Sequence, residues 1–270
     1  MPLQLLAEPQ EEAPDEDLAR SNDELAQELQ NPLADLVSLP FQNNTSFNVG
    51  PEDDVSNVLN IQPVAPIDMG EYNILTRTIV PLVYVPSFSV ETETGTTDVS
   101  SEFGLGDINF TPFFAPKGDD FIWGIGPSIN MDTSTDERLG TRKWSLGPSA
   151  VLIAQPGNWT VGGLVRQLWD FAGSDNSDQV NQTFIQPIVA YGLGDGWTVN
   201  TGPFIIANWQ EDSSDRWTLP VGLGVQKLVR VGGKLPLNIG LQGYGNVERP
   251  SGGADYEIRT QFTFILPKFY

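Results

Sequence analysis

Residues 184–210 read FIQPIVAYGLGDGWTVNTGPFIIANWQ, a pattern that predicts two extended strands around the tight turn Gly192–Gly196. Successive side chains in a strand point to opposite sides, so alternate residues of the second strand share a face. One face is apolar with a tryptophan at each end: Trp197, Val199, Thr201, Pro203, Ile205, Ala207 and Trp209. The other face is mostly polar or small: Thr198, Asn200, Gly202, Phe204, Ile206, Asn208 and Gln210. The fold depends on which face lies inside.

The same division into an apolar and a polar face recurs along the chain. It is present in 121–132, 143–154, 216–226 and 256–266. A soluble β-sandwich also alternates in this way, with its apolar residues inside. Alternation therefore predicts strands without deciding which face is buried.

The tryptophans favour a membrane barrel over a soluble sandwich or a lipocalin-like barrel. Trp159 and Trp169 are ten residues apart, and Trp197 and Trp209 are twelve apart. At ~3.3 Å per residue and a tilt of ~40°, both spans project to roughly 25–30 Å, the height of an outer-membrane barrel's apolar band. We therefore expect the apolar face to meet lipid and the polar, glycine-rich face to line the lumen. The predicted membrane-interface aromatics are Trp123, Trp144, Trp159, Trp169, Trp197, Trp209 and Trp217.

Twelve strands are predicted from residue 40 onward, and short connections tend to alternate with longer polar ones. The ranges are 44–50, 57–65, 72–85, 101–114, 120–132, 143–155, 158–171, 178–192, 196–209, 215–228, 236–248 and 256–267. Outer-membrane barrels sort short turns and long loops to opposite sides, and an even strand number closes the sheet. The fold class is thus all-β: a closed antiparallel transmembrane β-barrel of about twelve strands, residues 40–270, with a short N-terminal helical segment.

Six prolines fall inside these predicted strands: Pro63, Pro127, Pro148, Pro187, Pro203 and Pro220. Proline cannot donate a ladder hydrogen bond, and a closed barrel has no free edge to hold it. We expect bulges or sharp bends at these positions.

Composition excludes several classes of function. The net charge of −21 disfavours nucleic acid as a partner, because phosphate binding needs clustered Lys and Arg. The chain has no Cys and no His, which removes thiolate metal sites and imidazole-dependent catalysis, including a serine–histidine hydrolase in a barrel wall. We expect no enzyme activity, no cofactor and no metal, although a mechanism that uses carboxylates alone stays open.

The N-terminal residues differ from the rest. Residues 1–39 hold ten acidic residues and one basic residue, so they contribute −9 of the −21 charge. Residues 1–20 are predicted to be a disordered acidic segment. Residues 1–10 lack the basic start and the apolar stretch expected of a secretory leader, so either the chain is not exported or it is the mature form of an exported protein with a start Met. We expect the second.

Residues 21–39 predict an amphipathic helical segment. Ser21 and Glu24 match a capping box, apolar residues follow at helical spacing, and Pro32 predicts two short pieces or a kink. The segment either rests on the protein's own surface, plugs or gates a pore, or binds a partner. The plug candidates are Leu25, Leu29, Leu33 and Leu36.

Polar and charged residues on the inward faces are the candidates for the lumen lining. They are Asn60, Gln62, Arg77, Asp107, Asn109, Asn130, Arg166, Asp170, Asn200, Asn208, Glu257, Arg259 and Gln261. They either pair with one another and hold the barrel together, or form a solute path in which arginines and amides select carboxylate-bearing or aromatic solutes. The acidic outer loops are predicted to be a solvated rim, with a divalent-cation site next to lipopolysaccharide as the alternative.

Several motifs resemble a family of bacterial outer-membrane proteins named as transporters or as outer-membrane proteins of the meta-pathway of phenol degradation. The motifs are 31–34, 39–44, 59–64, 77–81 and 104–107, and the resemblance covers roughly residues 25–270. It implies an outer-membrane barrel and says little about the substrate.

We therefore predict an outer-membrane channel for the passive passage of small solutes, hydrophobic or aromatic compounds among them. The alternative is a non-conducting structural barrel whose lumen is filled by side chains. The expected location is the bacterial outer membrane with the N-terminus in the periplasm. The expected partners are outer-membrane lipid and lipopolysaccharide, a small-molecule solute, and the barrel assembly machinery, which would read the C-terminal strand ending in Tyr270.

Overall fold

A computed structural model describes residues 20–92, 95–118 and 121–268 of the chain. The predicted disorder of residues 1–20 falls, except for Arg20, outside the described residues, and so does the terminal aromatic Tyr270. Among the described residues, no helix is long and apolar enough to cross a membrane.

The described part of the chain forms one short helix and seventeen strands. The helix α1 spans Asn22–Glu28. The strands of the first half are β1 (Val37–Val49), β2 (Asp54–Ile61), β3 (Val64–Asp68), β4 (Tyr72–Val85), β5 (Phe88–Thr92), β6 (Gly95–Val99), β7 (Glu102–Leu105), β8 (Ile108–Pro116) and β9 (Ile122–Met131). Those of the second half are β10 (Lys143–Ala154), β11 (Trp159–Gly173), β12 (Asn181–Gly194), β13 (Trp197–Thr201), β14 (Ile205–Asn208), β15 (Trp217–Val231), β16 (Leu235–Glu248) and β17 (Tyr256–Leu266).

These strands build a closed barrel wall with twelve crossings. Three crossings are interrupted and consist of two strands each: β2 with β3, β7 with β8, and β13 with β14. Strands β5 and β6 form a separate hairpin between β4 and β7. Strand β1 pairs antiparallel with β17 from Val37↔Leu266 to Phe47↔Tyr256, so the last crossing closes on the first. The predicted closed twelve-stranded barrel is confirmed.

The connections divide the barrel into two ends. The short-turn end carries the connections 69–71, 117–121, 155–158, 195–196 and 232–234. The long-loop end carries 86–101, 132–142, 174–180, 209–216 and 249–255, together with the short turn 50–53. The N-terminal segment enters at the short-turn end, where α1 contacts β12, β13 and β15.

The wall begins earlier than the sequence suggested. Strand β1 starts at Val37 rather than at residue 44, because Val37 and Leu39 pair with Leu266 and Phe264 of the last strand. This pairing draws residues with helical spacing into the sheet. The predicted capping box is present at Ser21 and Glu24, and the single helix ends at Glu28, before Pro32.

Strand β10 shows how the two faces of the wall differ. On its outward face Trp144, Leu146 and Leu152 are exposed, as expected for a surface in contact with lipid. On its inward face Ser145 and Ser149 are buried, but so are the apolar residues Val151 and Ile153. The inward face is therefore polar over most of the strand and apolar near the short-turn end, where the sequence predicted polar and small residues throughout.

Most of the prolines interrupt the pairing of the wall. Pro63 and Pro203 lie where β2 and β13 break, and Pro220 adjoins a register shift against β16. Pro127 on β9 and Pro148 on β10 lie opposite each other. Beside Pro127, the β8–β9 pairing is absent between Phe110↔Ile129 and Phe114↔Ile125. Beside Pro148, the β10–β11 pairing is absent between Leu146↔Trp169 and Ser149↔Arg166. Pro187 differs, since it stays in register with Gly163 and has the β13–β14 break on its other side. The missing N–H group explains these interruptions.

Candidate functional site in the barrel lumen

The N-terminal segment, residues 20–36, lies within the mouth of the lumen at the short-turn end. Leu25, Leu33 and Leu36 are 0%, 5% and 2% exposed. Leu33 packs in an apolar cluster on the inner wall with Leu75, Phe113, Ala115, Val151, Ile153, Leu164 and Ile188. The remaining plug candidates join a second cluster that contains Leu25, Ala26, Ala34, Leu36, Leu228 and Ile265, with Leu29 against it. All four predicted plug leucines thus belong to, or pack against, apolar clusters that include inner-wall residues.

Polar contacts also hold the segment against the wall. The Gln30 side chain donates to Gln226 Oε1 at 2.9 Å and accepts from Asn200 Nδ2 at 3.0 Å. Gln27 Nε2 donates to the Gly157 carbonyl at 2.7 Å, and Gln155 Nε2 donates to the Gln27 carbonyl at 3.0 Å. These bonds join the segment to β13 and β15 and to the turn between β10 and β11.

The capping box at the start of α1 is charged. Glu24 accepts hydrogen bonds from the Ser21 N–H and from the Ser21 hydroxyl, each at 2.9 Å. These bonds, the backbone one first, lower the pKa of Glu24 below its usual 4.5. The ionised carboxylate therefore stabilises the first turn of the helix.

Above the segment a cavity of about 160 Å³ remains within the lumen. It lies between residues 29–36 and a wall rich in amides, and its lining includes Gln62, Arg77, Asn200, Arg259 and Gln261. Five of the predicted lumen residues therefore surround one space. The sequence-based prediction did not include Gln30, Gln186 or Gln226, which line the same cavity.

Arg259 is fully engaged by its surroundings. It is 3% exposed, and its Nη2 donates to Glu257 Oε1 at 3.1 Å. Its Nε donates to Asn44 Oδ1 at 2.8 Å and its Nη1 to the Gly202 carbonyl at 2.9 Å. For Arg259 and Glu257 the structure supports mutual pairing, which holds β1, β17 and the β13–β14 break together.

Arg77 and Arg166 have a different environment. Arg77 on β4 donates one hydrogen bond, to Gln62 Oε1 at 2.9 Å. Arg166 on β11 lies over the ring of Phe184 at 4.8 Å, and its buried Nε has no hydrogen-bond partner among the described residues. No carboxylate of the described chain pairs with either arginine.

Aromatic rings connect Arg166 to Arg259 across the lumen. The rings of Phe184 and Phe204 are 5.3 Å apart, and the Arg259 guanidinium lies 4.0 Å from the Phe204 centroid. Phe204 belongs to the interruption between β13 and β14, where the chain leaves the ladder and its ring reaches these inward-facing neighbours. Sequence analysis placed Phe204 on the inward face without giving it a role.

The other predicted lumen residues form local networks. Asn109 donates to Ser128 at 2.9 Å and to Asn130 at 2.7 Å, which joins β8 to β9. Asn60 lies opposite Gln42 in the β1–β2 ladder. These residues line the polar part of the wall and stabilise its pairing.

Three predicted lumen residues belong to the long-loop end. Asp107 accepts from the Thr141 N–H and hydroxyl, both at 2.7 Å. Asp170 accepts from the Val180 N–H at 2.9 Å and lies 3.8 Å from Lys143 Nζ. Asn208 donates to Glu211 at 3.3 Å. They hold the loops to the wall and do not contact the cavity lined by Arg77.

The tryptophans occupy both ends of the outward surface. Trp123, Trp159 and Trp197 lie near the short-turn end and are exposed. Towards the long-loop end lie the exposed Trp144, Trp169 and Trp209, together with the half-buried Trp217, whose ring meets that of Trp209 at 5.9 Å.

The acidic loops at the long-loop end were predicted to be either a solvated rim or a divalent-cation site. Within 20–92, 95–118 and 121–268, no group of three or more acidic side chains is placed to hold a metal ion. Asp215 accepts from the Ser251 N–H, and this bond is the main cause that holds its pKa below 3.8. At this position the rim carboxylate joins two loops.

Comparisons with known proteins agree with this architecture. A model of the family described as "Putative MetA-pathway of phenol degradation" matches residues 40–242, about three quarters of the chain. No curated protein matches the sequence. The crystal structure of the COG4313 outer membrane channel from Pseudomonas putida F1 is similar in fold, with a TM-score of 0.66, 15% identity, and coverage of 85% of this chain and 94% of that one. Outer membrane phospholipase A from Escherichia coli gives a TM-score of 0.43, at 11% identity and with coverage of 89% and 98%.

Proposed function

Because this chain belongs to the family described as "Putative MetA-pathway of phenol degradation" and folds as an outer-membrane barrel, we propose that it is an outer-membrane channel. It passes small solutes passively, hydrophobic or aromatic compounds among them. The fold it shares with the Pseudomonas putida F1 channel supports this function. So does the lumen, whose inner wall has a polar part around Arg259 and an apolar part around Phe113.

The barrel lies in the bacterial outer membrane with its short-turn end, and so its N-terminal segment, toward the periplasm. Short turns are periplasmic in barrels of this class. The exposed tryptophans at the two ends form the interfacial aromatic girdles, and the outward aliphatic side chains between them contact lipid. Lipopolysaccharide meets the acidic rim, and the barrel assembly machinery reads β17, whose outward face carries Phe262 and Phe264.

Residues 20–36 act as a removable plug. The observation that carries this proposal is the way the segment is held: its leucines and amides contact the inner wall, and it joins the sheet only from Val37 onward. A segment held by side chains can leave while every strand pair stays intact. Passage then requires the plug to undock.

Single-channel recording in a planar bilayer tests the proposal. The full chain is compared with a chain lacking residues 1–36 and with a chain lacking residues 1–19, which keeps the plug. The deletion ends at residue 36 because Val37 pairs with Leu266. We expect frequent conductance steps only when residues 20–36 are absent.

A reversible lock provides the matched control. A Cβ added at Gly196 would lie 3.3 Å from Asn22 Cβ, slightly closer than in an ordinary disulfide, and 2.8 Å from the Leu228 carbonyl oxygen, so the turn must shift outward by a few tenths of an ångström to admit the bridge; the chain has no other cysteine. The positive φ of Gly196 will strain the new residue by about 1–2 kcal/mol. In the Asn22→Cys/Gly196→Cys double variant, oxidation should suppress conductance and reduction should restore it to its level before oxidation.

A non-conducting structural barrel is the second candidate, and the side chains and plug that fill the lumen favour it. Silence from the chain lacking residues 1–36, with insertion and folding verified, would establish this alternative and reject the channel.

A further inference from the structure

The cavity between the plug and the wall differs in charge from the rest of the chain. The protein carries a net charge of −21, yet the described residues that line this cavity include Arg77 and Arg259 and no aspartate or glutamate. Most of the other lining side chains are amides or hydroxyls. An acidic protein thus encloses a space whose lining is positive and rich in hydrogen-bond donors.

The two arginines of the cavity differ in their counter-charge. Arg259 donates to the Glu257 carboxylate at 3.1 Å, which balances its charge. Arg77 donates to the neutral Gln62 amide at 2.9 Å, and no carboxylate of the described chain pairs with it. A cation inside a protein without a counter-charge is costly. An anion that enters the cavity beside Arg77 would therefore be favoured electrostatically.

A second donor lines the same space. The Gln186 side chain on β12 borders the cavity and makes no hydrogen bond to another described residue. The N–H groups of Arg77 other than the one that binds Gln62 are also available. A planar guanidinium matches the two oxygens of a carboxylate, and an amide N–H adds a further bond to it. These donors favour a carboxylate over a spherical anion.

The size of the cavity limits the ligand. Its volume is about 160 Å³, and an apolar cavity of ~150 Å³ in another protein holds one benzene molecule. Here the lining is polar, so water and a small polar molecule fit it better than a hydrocarbon does. The space therefore admits a short organic acid such as acetate.

We propose that Arg77 and Gln186 bind the carboxylate of a small organic acid in the closed barrel. Residues 29–36 of the plug form one side of the cavity, so the site is complete only while the plug is docked. The ligand then stabilises the docked state by mass action and keeps the barrel closed. This effect on closing rests on the plug function proposed above, whereas the binding itself does not depend on conduction.

Calorimetric titration of the full chain in nonionic detergent, at constant ionic strength, tests the site. The probes are acetate, acetamide, which has nearly the same shape without the charge, and chloride, which has the charge without paired oxygens. We expect acetate to bind at least tenfold more tightly than acetamide and more tightly than chloride. Absence of acetate binding, or equal affinity for either control, would overturn the proposal.

Substitutions assign the binding to these residues. Arg77→Met should weaken acetate binding roughly tenfold or more, since it removes charge-assisted hydrogen bonds, and Arg77→Lys should lose less. Gln186→Leu removes one neutral hydrogen bond and should cost about fivefold. Arg142→Met, in an exposed loop at the long-loop end, is the matched control and should have no effect. Each variant is first checked for its folded form by its heat-dependent shift in gel mobility. Acetate binding that survives Arg77→Met in folded protein would refute the site.

A thiol in the plug measures the coupling to closing. Ala26 is 3% exposed in the docked segment, and the chain has no cysteine, so the labelling rate of Ala26→Cys reports undocking. Acetate at ten times its Kd should slow labelling about tenfold. The same acetate concentration should have little effect when Arg77→Met is added. Labelling that saturating acetate leaves unchanged would overturn the coupling.

The bilayer recordings are independent of these measurements. Silence from the chain lacking residues 1–36, with intact acetate binding to the full chain, rejects the channel and keeps the site. Conductance from that chain without acetate binding to the full chain keeps the channel and rejects the site.

Discussion

Truncating one buried leucine of the plug should shift the barrel toward its open state. Leu25 is 0% exposed and packs with Leu36, Leu228 and Ile265. In the undocked segment its side chain is in water, so Leu25→Ala destabilises only the docked state. The loss of apolar burial and the cavity left behind cost about 2–3 kcal/mol.

That energy predicts a measurable change in gating. At about 1.4 kcal/mol per tenfold change, the ratio of open to closed time should rise roughly 30- to 150-fold. Single-channel recording of the unmodified chain and of Leu25→Ala gives this ratio directly. Unitary conductance should stay the same, because the residue leaves the lumen together with the plug.

A lipid-facing leucine provides the control. Leu152 on β10 is 55% exposed and points away from the plug. Leu152→Ala makes the same chemical change and should leave the open-to-closed ratio unaltered. The reasoning is refuted if Leu25→Ala gates like the unmodified chain while the chain lacking residues 1–36 conducts.

Two further predictions concern charged groups. Because hydrogen bonds from Ser21 lower the pKa of Glu24 below 4.5, its contribution to docking is complete above pH 4.5 and is lost as pH falls through the lowered value. Acid should therefore increase channel opening, and Glu24→Gln should remove this response; an unchanged pH profile in that variant would contradict it. Arg259→Ala should destabilise the barrel by about 3 kcal/mol in urea unfolding, since it leaves the half-buried Glu257 carboxylate without its partner and removes the hydrogen bonds to Asn44 and Gly202. Arg166→Ala, which breaks no ion pair, should cost much less, and equal losses would argue against the pairing.

The strands of the wall could be predicted from sequence, because the side chains of a strand alternate between two faces whatever the distant context. This alternation is visible as a repeat of apolar and polar residues. The tryptophans then indicated which face is outside. The start of β1 could not be predicted in this way. Val37 and Leu39 fall within residues 21–39, which were predicted to be a helical segment, and only their pairing with Leu266 and Phe264 across the closed barrel makes them part of a strand.

The apolar part of the lumen was missed, although the sequence holds a signal for it. Residues 151–154 of β10 read VLIA, apolar on both faces, and 113–114 of β8 are both phenylalanine. A strand whose two faces are apolar at one end is covered on both sides there. Lipid covers one side, and the other requires an apolar segment such as the one that contains Leu25 and Leu33.

The partners of the lumen arginines depend on distances that a face assignment alone does not give. Glu257 is two residues from Arg259 on the same face, about 7 Å along the strand, and their side chains meet. Asp170 is four residues from Arg166 on the same face, about 13 Å away, and pairs with Lys143 at the rim instead. The alternation of the sequence correctly placed the Glu257 and Asp170 carboxylates on the inward face. The distance along the strand nevertheless leaves Arg166 without a carboxylate partner.

On the proposed channel function, the plug and the solute compete for one surface of the inner wall. If residues 20–36 leave, Leu75, Phe113, Val151 and Ile153 become exposed to water, and their exposure opposes undocking. An apolar or aromatic solute that covers these residues removes that cost, so it favours the undocked state in proportion to its affinity for the bare wall. A polar solute of the same size does not lower the cost of exposing these apolar residues. On the proposed channel function, the barrel therefore favours solutes that can take the place of Leu33 on the inner wall.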